Sequence, residues 1–152
     1  MMVVNIDGLC EPVNPGGIAT YGYIIRDDAG TVIARRSGLV GRGPKMSNNV
    51  AEYAALCECL SILLQKKMSD LPIEVRSDSK LVVNQMSGGW KFHKGLYGEK
   101  YHEANRLVSQ FPHLSFRWVP REQNEEADAL SIEAYERALS NLNQLEPPNF
   151  QV

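Results

Sequence analysis

A change of hydrophobic period after residue 47 constrains the fold of this chain more than any other feature. Before it, three β-rich runs at residues 3–6, 20–26 and 31–35 are separated by short segments rich in turn-forming residues, which predicts an antiparallel meander. After it, from about Asn48 to about Lys67, apolar residues recur at helical spacing. A chain that begins as a meander and continues with a long helix is neither all-β nor all-α.

The rest of the chain alternates between the two periods. We predict a strand at 73–77, a short helix at 80–86, a helix at about 96–111, a strand at 114–118, a loop at 120–123 and a final helix to about residue 142. The element order is therefore βββαβααβα. This order predicts an α/β fold with a five-stranded mixed sheet, in which the antiparallel meander is followed by parallel strands and helices flank the sheet.

Four side chains receive specific structural predictions. Asn49 fits the N-cap of the first long helix, with Glu52 three residues later to complete a capping box. Asn124 is expected to cap the final helix, and Trp118 is expected to lie in the core, because it alternates with other apolar residues of the last strand.

Length and composition predict one soluble globular domain, which we assign to residues 1–142, followed by a tail at 143–152. The chain has 152 residues and is 43% hydrophobic, which argues against disorder, while its longest apolar patches are only a few residues long, which excludes a membrane span. Sixteen basic and 18 acidic residues give a net charge of -2. Any nucleic-acid binding must therefore come from a local site.

Cysteine usage and the first residues predict the compartment. Three cysteines are an odd number, which argues against a disulfide framework and favours free thiols in a reducing compartment. The N-terminus lacks the basic start and apolar run of a signal peptide. We therefore expect a cytoplasmic protein that acts as a monomer, without an obligatory protein partner.

Four acidic residues are candidates for one site because of where they fall in the predicted elements. Asp7 is expected at the end of the first strand, Glu52 in the first turn of the first helix, Asp78 after the fourth strand and Asp128 early in the last helix. Strand ends and helix starts can meet at one edge of such a sheet. Clustered carboxylates need a bound cation or a proton, and oxygen ligands alone select Mg²⁺ or Mn²⁺.

Each acid also has a purely local explanation. Asp7-Gly8 is a turn signal, Glu52 is the acid of a capping box, Asp78-Ser79 is a helix N-cap, and Asp128 stabilises the dipole of a first turn. Considered one at a time, these explanations are as good as the functional one.

The sequence around the acids resembles ribonuclease H of type 1, in the short archaeal-like form that lacks a basic protrusion. The four matching blocks run in the family's order from about residue 2 to 140: Ile6-Asp7-Gly8 with Asn14-Pro15-Gly16-Gly17, then Ser47-Asn48-Asn49-Val50-Ala51-Glu52, then Ser77-Asp78-Ser79, then Asn124-Glu125-Glu126-Ala127-Asp128-Ala129-Leu130.

The resemblance implies a ribonuclease H-like fold and an endoribonuclease that cleaves the RNA strand of RNA/DNA hybrids, leaving 3′-hydroxyl and 5′-phosphate ends. It implies that Asp7, Glu52, Asp78 and Asp128 are catalytic and hold two Mg²⁺ ions, with Mn²⁺ as a substitute. The residues expected to bind the hybrid are Gly8, Asn14, Gly16, Ser47, Asn48, Asn49, Ser79, Lys80, Trp90 and Asn124.

The chain departs from the family pattern in its loops. Many relatives carry a histidine before the last acid, but 120–126 contains none, and Arg121 is the catalytic candidate in its place. An arginine stays protonated, so it can neutralise phosphate charge or assist product release but cannot act as a general base. It can equally be a solvated loop charge.

The segment at 90–95 and Lys80 are two further departures. The segment is shorter than the basic protrusion of some relatives; Trp90 is expected to anchor it in the core, and the roles of Lys91 and Lys94 stay open. Lys80 replaces a polar residue two positions after the third acid, where it contacts a phosphate or faces solvent.

Three alternatives remain at this point. One is a nucleic-acid-binding module of the same fold with a retired site, and another is a related nuclease that also cuts double-stranded RNA. The weakest is a Mg²⁺-dependent resolvase or transposase-like nuclease. The presence of all four acids disfavours a pure binding module, since clustered negative charges repel phosphate.

Overall fold

Five strands and four helices follow one another in the predicted order in the computed structural model, which describes residues 1–145. The elements are β1 (Met2–Glu11), β2 (Ile18–Arg26), β3 (Val32–Arg42), α1 (Asn48–Gln65), β4 (Ile73–Ser77), α2 (Lys80–Met86), α3 (Gly98–Val108), β5 (Leu114–Trp118) and α4 (Glu125–Leu145), with a 3₁₀ turn at Arg121–Gln123.

The strands form one mixed sheet in the order β3-β2-β1-β4-β5. The meander β1-β2-β3 is antiparallel, and β4 and β5 join it in parallel, with Asn5 opposite Arg76 and Ser77 opposite Trp118. The predicted five-stranded mixed α/β sheet is confirmed. The parallel pairing of β1 and β4 places the start of α2 beside the middle of β1, because α2 begins three residues after β4 ends.

The helices cover both faces of the sheet. On one face, Val4, Ile6 and Tyr23 pack with Leu56 and Leu60 of α1 in the hydrophobic core. Because successive strand residues point to opposite faces, Gly22 faces the other way. There the α4 backbone lies so close that a Cβ on Gly22 would stand 2.6 Å from the Ala127 carbonyl oxygen. The core therefore lies mainly between the sheet and α1, with α4 on the opposite face.

Two helix starts differ from the predictions. Ser47, not Asn49, is the N-cap of α1, because its hydroxyl accepts a hydrogen bond from the Val50 amide at 3.2 Å. Asn124 does precede α4, but its side chain donates to the Ile6 carbonyl at 2.8 Å and does not cap the helix. The α1 cap lies two residues before the predicted one and is a local contact, whereas the partner of Asn124 lies 118 positions away in the sequence.

The two tryptophans are not core residues. Trp118 is 41% exposed and Trp90 is 49% exposed, so both core predictions were wrong. Trp118 ends β5, which is an edge strand of the sheet and therefore has a neighbouring strand on one side only. Trp90 lies in the irregular connection between α2 and α3, which is longer than expected because α3 begins at Gly98.

At the C-terminus, α4 continues three residues beyond its predicted end and reaches Leu145. Residues 146–152 of the predicted tail lie outside the described residues, so the division at residue 142 stays a prediction. Within residues 1–145, no helix combines the length and apolar character that crossing a membrane requires.

Candidate active site

Three carboxylates from three separate elements meet beside the middle of β1. Asp7 lies within this strand, Glu52 in the second turn of α1, and Asp78 directly after β4. One carboxylate oxygen from each residue lies within 4.8 Å of the others. The convergence of these acids, which the sequence predicted at one edge of the sheet, is therefore present. β1 extends to Glu11, however, so Asp7 is not at the end of the strand as expected.

Gly8 brings α1 onto β1 at this point. A Cβ atom on Gly8 would stand 2.4 Å from the carbonyl carbon of Ala51 and 2.5 Å from the amide nitrogen of Glu52. Real Cβ contacts are never this short, so only glycine permits the approach. The predicted substrate-binding residue Gly8 thus lets the helix backbone lie against the strand, and this contact carries Glu52 to Asp7.

The side chain of Asn48 ties the same helix start to β1. Its Oδ1 accepts a hydrogen bond from the Cys10 backbone amide at 2.9 Å. The backbone amide of Asn48 donates to Asn14 Oδ1, also at 2.9 Å. In the turn that follows β1, Gly16 has a φ of 111°, which is left-handed backbone that favours glycine. Its amide donates to the Met46 carbonyl at 2.9 Å. These predicted substrate-binding residues therefore build the turn that holds α1.

The fourth acid lies beside this group. Asp128 is in the first turn of α4 and lines the same cavity, but it is not part of the group that meets within 4.8 Å. Its Oδ2 lies 3.7 Å from Nη2 of Arg121, whose side chain is 76% exposed. Arg121 is thus the loop cation that faces the acids, at the position where the sequence placed it.

Burial and mutual repulsion raise the pKa values of Asp7, Glu52 and Asp78. Burial, followed by the charges of Asp78 and Asp128, raises the pKa of Asp7 from 3.8 to about 8. Burial and the neighbouring Asp7 raise the pKa of Glu52 well above its ordinary value, and burial raises the pKa of Asp78. An isolated carboxylate cluster of this kind is stable only when it is protonated or when a cation neutralises it.

The chemistry of the cluster fits a divalent metal ion. Glu52 Oε2 is buried and has no hydrogen-bond partner among the described residues, which leaves a free oxygen beside the other two carboxylates. The three groups supply only oxygen atoms, without sulfur or imidazole nitrogen. This donor set suits the hard cations Mg²⁺ and Mn²⁺ and does not suit zinc.

The acids open into a cavity of about 370 Å³. Among the predicted substrate-binding residues, Gly8, Asn48, Asn49 and Ser79 line it. Sequence analysis missed two further lining residues, Leu9 and Glu11. They would have been found if the first strand had been extended beyond Ile6, since Asp7, Leu9 and Glu11 share one face of a strand.

The remaining predicted contact residues lie elsewhere. Ser47 caps α1, and Asn124 is buried with both ends of its carboxamide bonded to β1, at Asn5 and Ile6. Asn124 therefore fixes the start of α4 to the strand that carries Asp7, and its contact with substrate stays a prediction. Trp90 lines a separate groove, described below.

Trp118 and Lys80 form a pair next to Asp78. The indole Nε1 of Trp118 donates to the Asp78 carbonyl at 3.1 Å, and Lys80 Nζ lies 5.1 Å from the centre of the Trp118 ring. This cation–π contact holds the ammonium group against the Trp118 ring. Sequence analysis had given Trp118 no part in the site, because a residue at the end of an apolar strand is normally read as core.

Comparison with known proteins agrees with the fold. The family described as reverse transcriptase-like matches residues 5–134. The chain is 36% identical over 125 residues to ribonuclease HI of Halobacterium salinarum, and this match covers 82% of this chain and 60% of that protein. It is 40% identical over 138 residues to the bifunctional protein Rv2228c of Mycobacterium tuberculosis. That match covers 90% of this chain but 36% of the relative, so the chain spans about a third of that protein's length.

Solved structures give the same result. LC11-RNase H1 in complex with an RNA/DNA hybrid superposes with a TM-score of 0.82 at 34% identity, covering 91% of this chain and 99% of that one. RNase H1 from the halophilic archaeon Halobacterium salinarum superposes with a TM-score of 0.78 at 32% identity, covering 90% of this chain and 98% of that one. The chain belongs to the ribonuclease H family, and within it to type 1.

Proposed function

We propose that this protein is an endoribonuclease that hydrolyses the RNA strand of RNA/DNA hybrids with two Mg²⁺ ions and leaves 3′-hydroxyl and 5′-phosphate ends. The observation that carries the proposal is the meeting of Asp7, Glu52 and Asp78 within 4.8 Å, with an unpartnered oxygen on Glu52. Its support from relatives is the solved structure of LC11-RNase H1, which contains an RNA/DNA hybrid.

The acids and the loop arginine have different proposed roles: the acids bind metal ions, and the arginine attracts phosphate. Asp7, Glu52, Asp78 and Asp128 would hold the metal ions, which supply an activated water and stabilise the leaving oxygen in phosphodiester hydrolysis. The raised pKa values of Asp7, Glu52 and Asp78 couple cation binding to the loss of protons, because a carboxylate ligand must be ionised. The guanidinium of Arg121 can attract the phosphate or the departing product at the cavity rim.

Recognition of the RNA strand is assigned to polar groups around the cavity. Asn49 and Ser79 line it and offer groups that both donate and accept hydrogen bonds, as does the 2′-hydroxyl that distinguishes RNA from DNA. Lys80, held over Trp118, provides a positive charge for a backbone phosphate. The three cysteines are free and buried, which supports a reducing, cytoplasmic location. A monomer is the oligomeric state that we propose.

The decisive assay uses three labelled duplexes: RNA/DNA, RNA/RNA and DNA/DNA, each with Mg²⁺, Mn²⁺ or a chelator. We expect cutting of the RNA strand of the hybrid, with either metal and not with the chelator, to give fragments with 5′-phosphate ends. Binding of the hybrid without cleavage in any metal would favour the module with a retired site. Cutting of RNA/RNA at a comparable rate would replace hybrid specificity with the broader nuclease.

A further inference from the structure

The connection between α2 and α3 exposes a set of side chains typical of a nucleic-acid surface. Residues 87–97 form no regular element, and their side chains line a groove of about 630 Å³ that is separate from the acid cavity. Trp90, Lys91, His93 and Lys94 lie on its outer side, and all four are exposed. Two lysines interleaved with an aromatic ring suit phosphate contact and base or sugar stacking.

A buried glutamine anchors this connection from inside. The carboxamide of Gln85, which is 6% exposed, accepts a hydrogen bond from the Tyr53 hydroxyl at 2.6 Å. Its Nε2 donates to the Tyr97 hydroxyl at 3.0 Å and to the Lys91 carbonyl at 3.4 Å. One side chain thus joins α1, α2, the start of α3 and the main chain of the connection.

Among the described residues, the other contacts of the connection do not fix the main chain at Lys91. The amides of Gly89 and Trp90 both donate to the Asn84 carbonyl, which holds only the first residues. Phe92 stacks on Tyr101 with ring centres 4.6 Å apart, which is an apolar contact without a fixed main-chain register. Between Trp90 and Phe92, the main chain is held at Lys91, whose carbonyl accepts a hydrogen bond from the Gln85 side chain.

Gln85 also links the connection to α1, the helix that carries Glu52. Tyr53, which bonds to Gln85, is fully buried and directly follows Glu52 in α1. The hydrogen bond between Tyr53 and Gln85 therefore links the connection to the helix that carries the acid Glu52. Gln85 and Tyr97 line the groove and Tyr53 lies in α1, so this network joins the groove to the helix that carries Glu52.

We propose that Gln85 is a positioning residue for substrate binding: it sets the place of the 87–97 connection relative to the acid cluster. The inference rests on the proposed function and deepens it. Gln85 lines the groove but contacts neither the acids nor the acid cavity. Its loss therefore weakens binding of the hybrid and leaves the chemical step intact. The expected signature is a higher KM at unchanged kcat.

The test compares Gln85→Met with Ile25→Val. Methionine keeps the length of the side chain and removes its hydrogen bonds, while the Ile25 change removes one buried methyl group from β2 and mildly destabilises the whole fold. We expect Gln85→Met to raise KM roughly fivefold, the effect of one lost hydrogen bond, with kcat unchanged. Ile25→Val leaves both constants unchanged. Gln85→Glu, which keeps the shape and the acceptor for Tyr53, serves if the methionine variant does not fold.

Limited trypsin cleavage supplies a readout that needs no activity. A released connection is cut faster after Lys91 and Lys94 in Gln85→Met than in Ile25→Val, in which cutting rises at all sites alike. Equal cutting at these two lysines in both variants would overturn the inference, as would a fall in kcat at constant KM. If the parent protein cleaves no hybrid, the proposed function fails, and the trypsin comparison still decides whether Gln85 anchors the connection.

Discussion

Asp7 occupies an interior position of β1, where an ionised carboxylate is costly because water cannot solvate it. Its pKa is about 8 in the folded protein against an ordinary value of 3.8, so between these values the folded state holds a proton that the unfolded state releases. The free energy of unfolding of the metal-free protein therefore falls as the pH rises from about 4 to about 8.

The Asp7→Asn variant tests this account of the acid cluster. Asparagine cannot ionise, so we expect the variant to show a flatter pH dependence and to exceed the parent in free energy of unfolding above pH 8, with little difference near pH 4. Urea unfolding of both proteins in chelator, at a series of pH values, measures these free energies of unfolding. Parallel curves for the two proteins would mean that Asp7 is not protonated in the fold.

Asp78 is the acid whose removal should separate activity from folding. It lies outside any helix or strand and is only half-buried, so Asp78→Asn keeps the fold while removing a metal ligand. We expect Mg²⁺-dependent cleavage to fall by at least roughly 100-fold, since a direct ligand matters more than an outer-shell partner. Circular dichroism and the thermal midpoint serve as controls. Parental cleavage rates in this variant would remove the acids from the mechanism.

Arg121 makes a weaker prediction because it is exposed and 3.7 Å from its partner Asp128. If Arg121 stabilises the transition-state phosphate by about 1 kcal/mol, Arg121→Ala should lower turnover roughly fivefold. The thermal midpoint should change little, because an exposed ion pair contributes about 1 kcal/mol to folding at most. Arg121→Lys, which keeps the charge, is the matched control and should recover part of the loss. Identical turnover in the alanine variant and the parent would identify Arg121 as a solvated loop charge.

At the scale of elements, the packing of α1 on β1 is what delivers Glu52 to Asp7. Gly8→Ala would place a methyl group 2.4 Å from the α1 backbone, which cannot yield as a flexible side chain can. We expect a loss of about 1–3 kcal/mol in the free energy of unfolding and a displaced Glu52. Gly30→Ala, at a turn with open space around it but with a φ of 83°, controls for the glycine backbone term.

Denaturant unfolding of the two variants, together with hybrid cleavage, distinguishes packing from backbone strain. We expect Gly8→Ala to lose cleavage out of proportion to its stability, whereas Gly30→Ala loses stability alone. Equal cleavage losses in both variants would show that the contact between β1 and α1 is not what assembles the acids.

The order of elements could be predicted from the sequence because each element carries its own period of apolar residues. The roles of Asn124 and Trp118 could not, since their partners are distant: Asn124 bonds to β1, and Trp118 bonds to Asp78 across 40 positions. A cap is recognised from neighbouring residues, and a core position from alternation, so neither rule can detect a competing tertiary hydrogen bond. The extension of β1 past Ile6 was missed because Asp7 and Gly8 are a local turn signal.

At the scale of the whole molecule, the site depends on parallel pairing. β1 and β4 lie side by side in the sheet, so Asp78 arrives next to Asp7 although 71 positions separate them in sequence. The sequence could predict this neighbourhood only from the general rule that strand ends and helix starts meet at one edge. The distances, the free oxygen on Glu52 and the anchoring role of Gln85 follow from packing that no local pattern records.

The central claim is that the buried acids exist to bind divalent cations, and calorimetric titration of Mg²⁺ into the metal-free protein tests it most directly. At pH 8, we expect a saturable heat with release of protons, because the acids must ionise to bind, and we expect that heat to disappear in Asp78→Asn. Equal heats for the parent and the variant, or no binding by the parent at any Mg²⁺ concentration up to the millimolar range, would contradict the account.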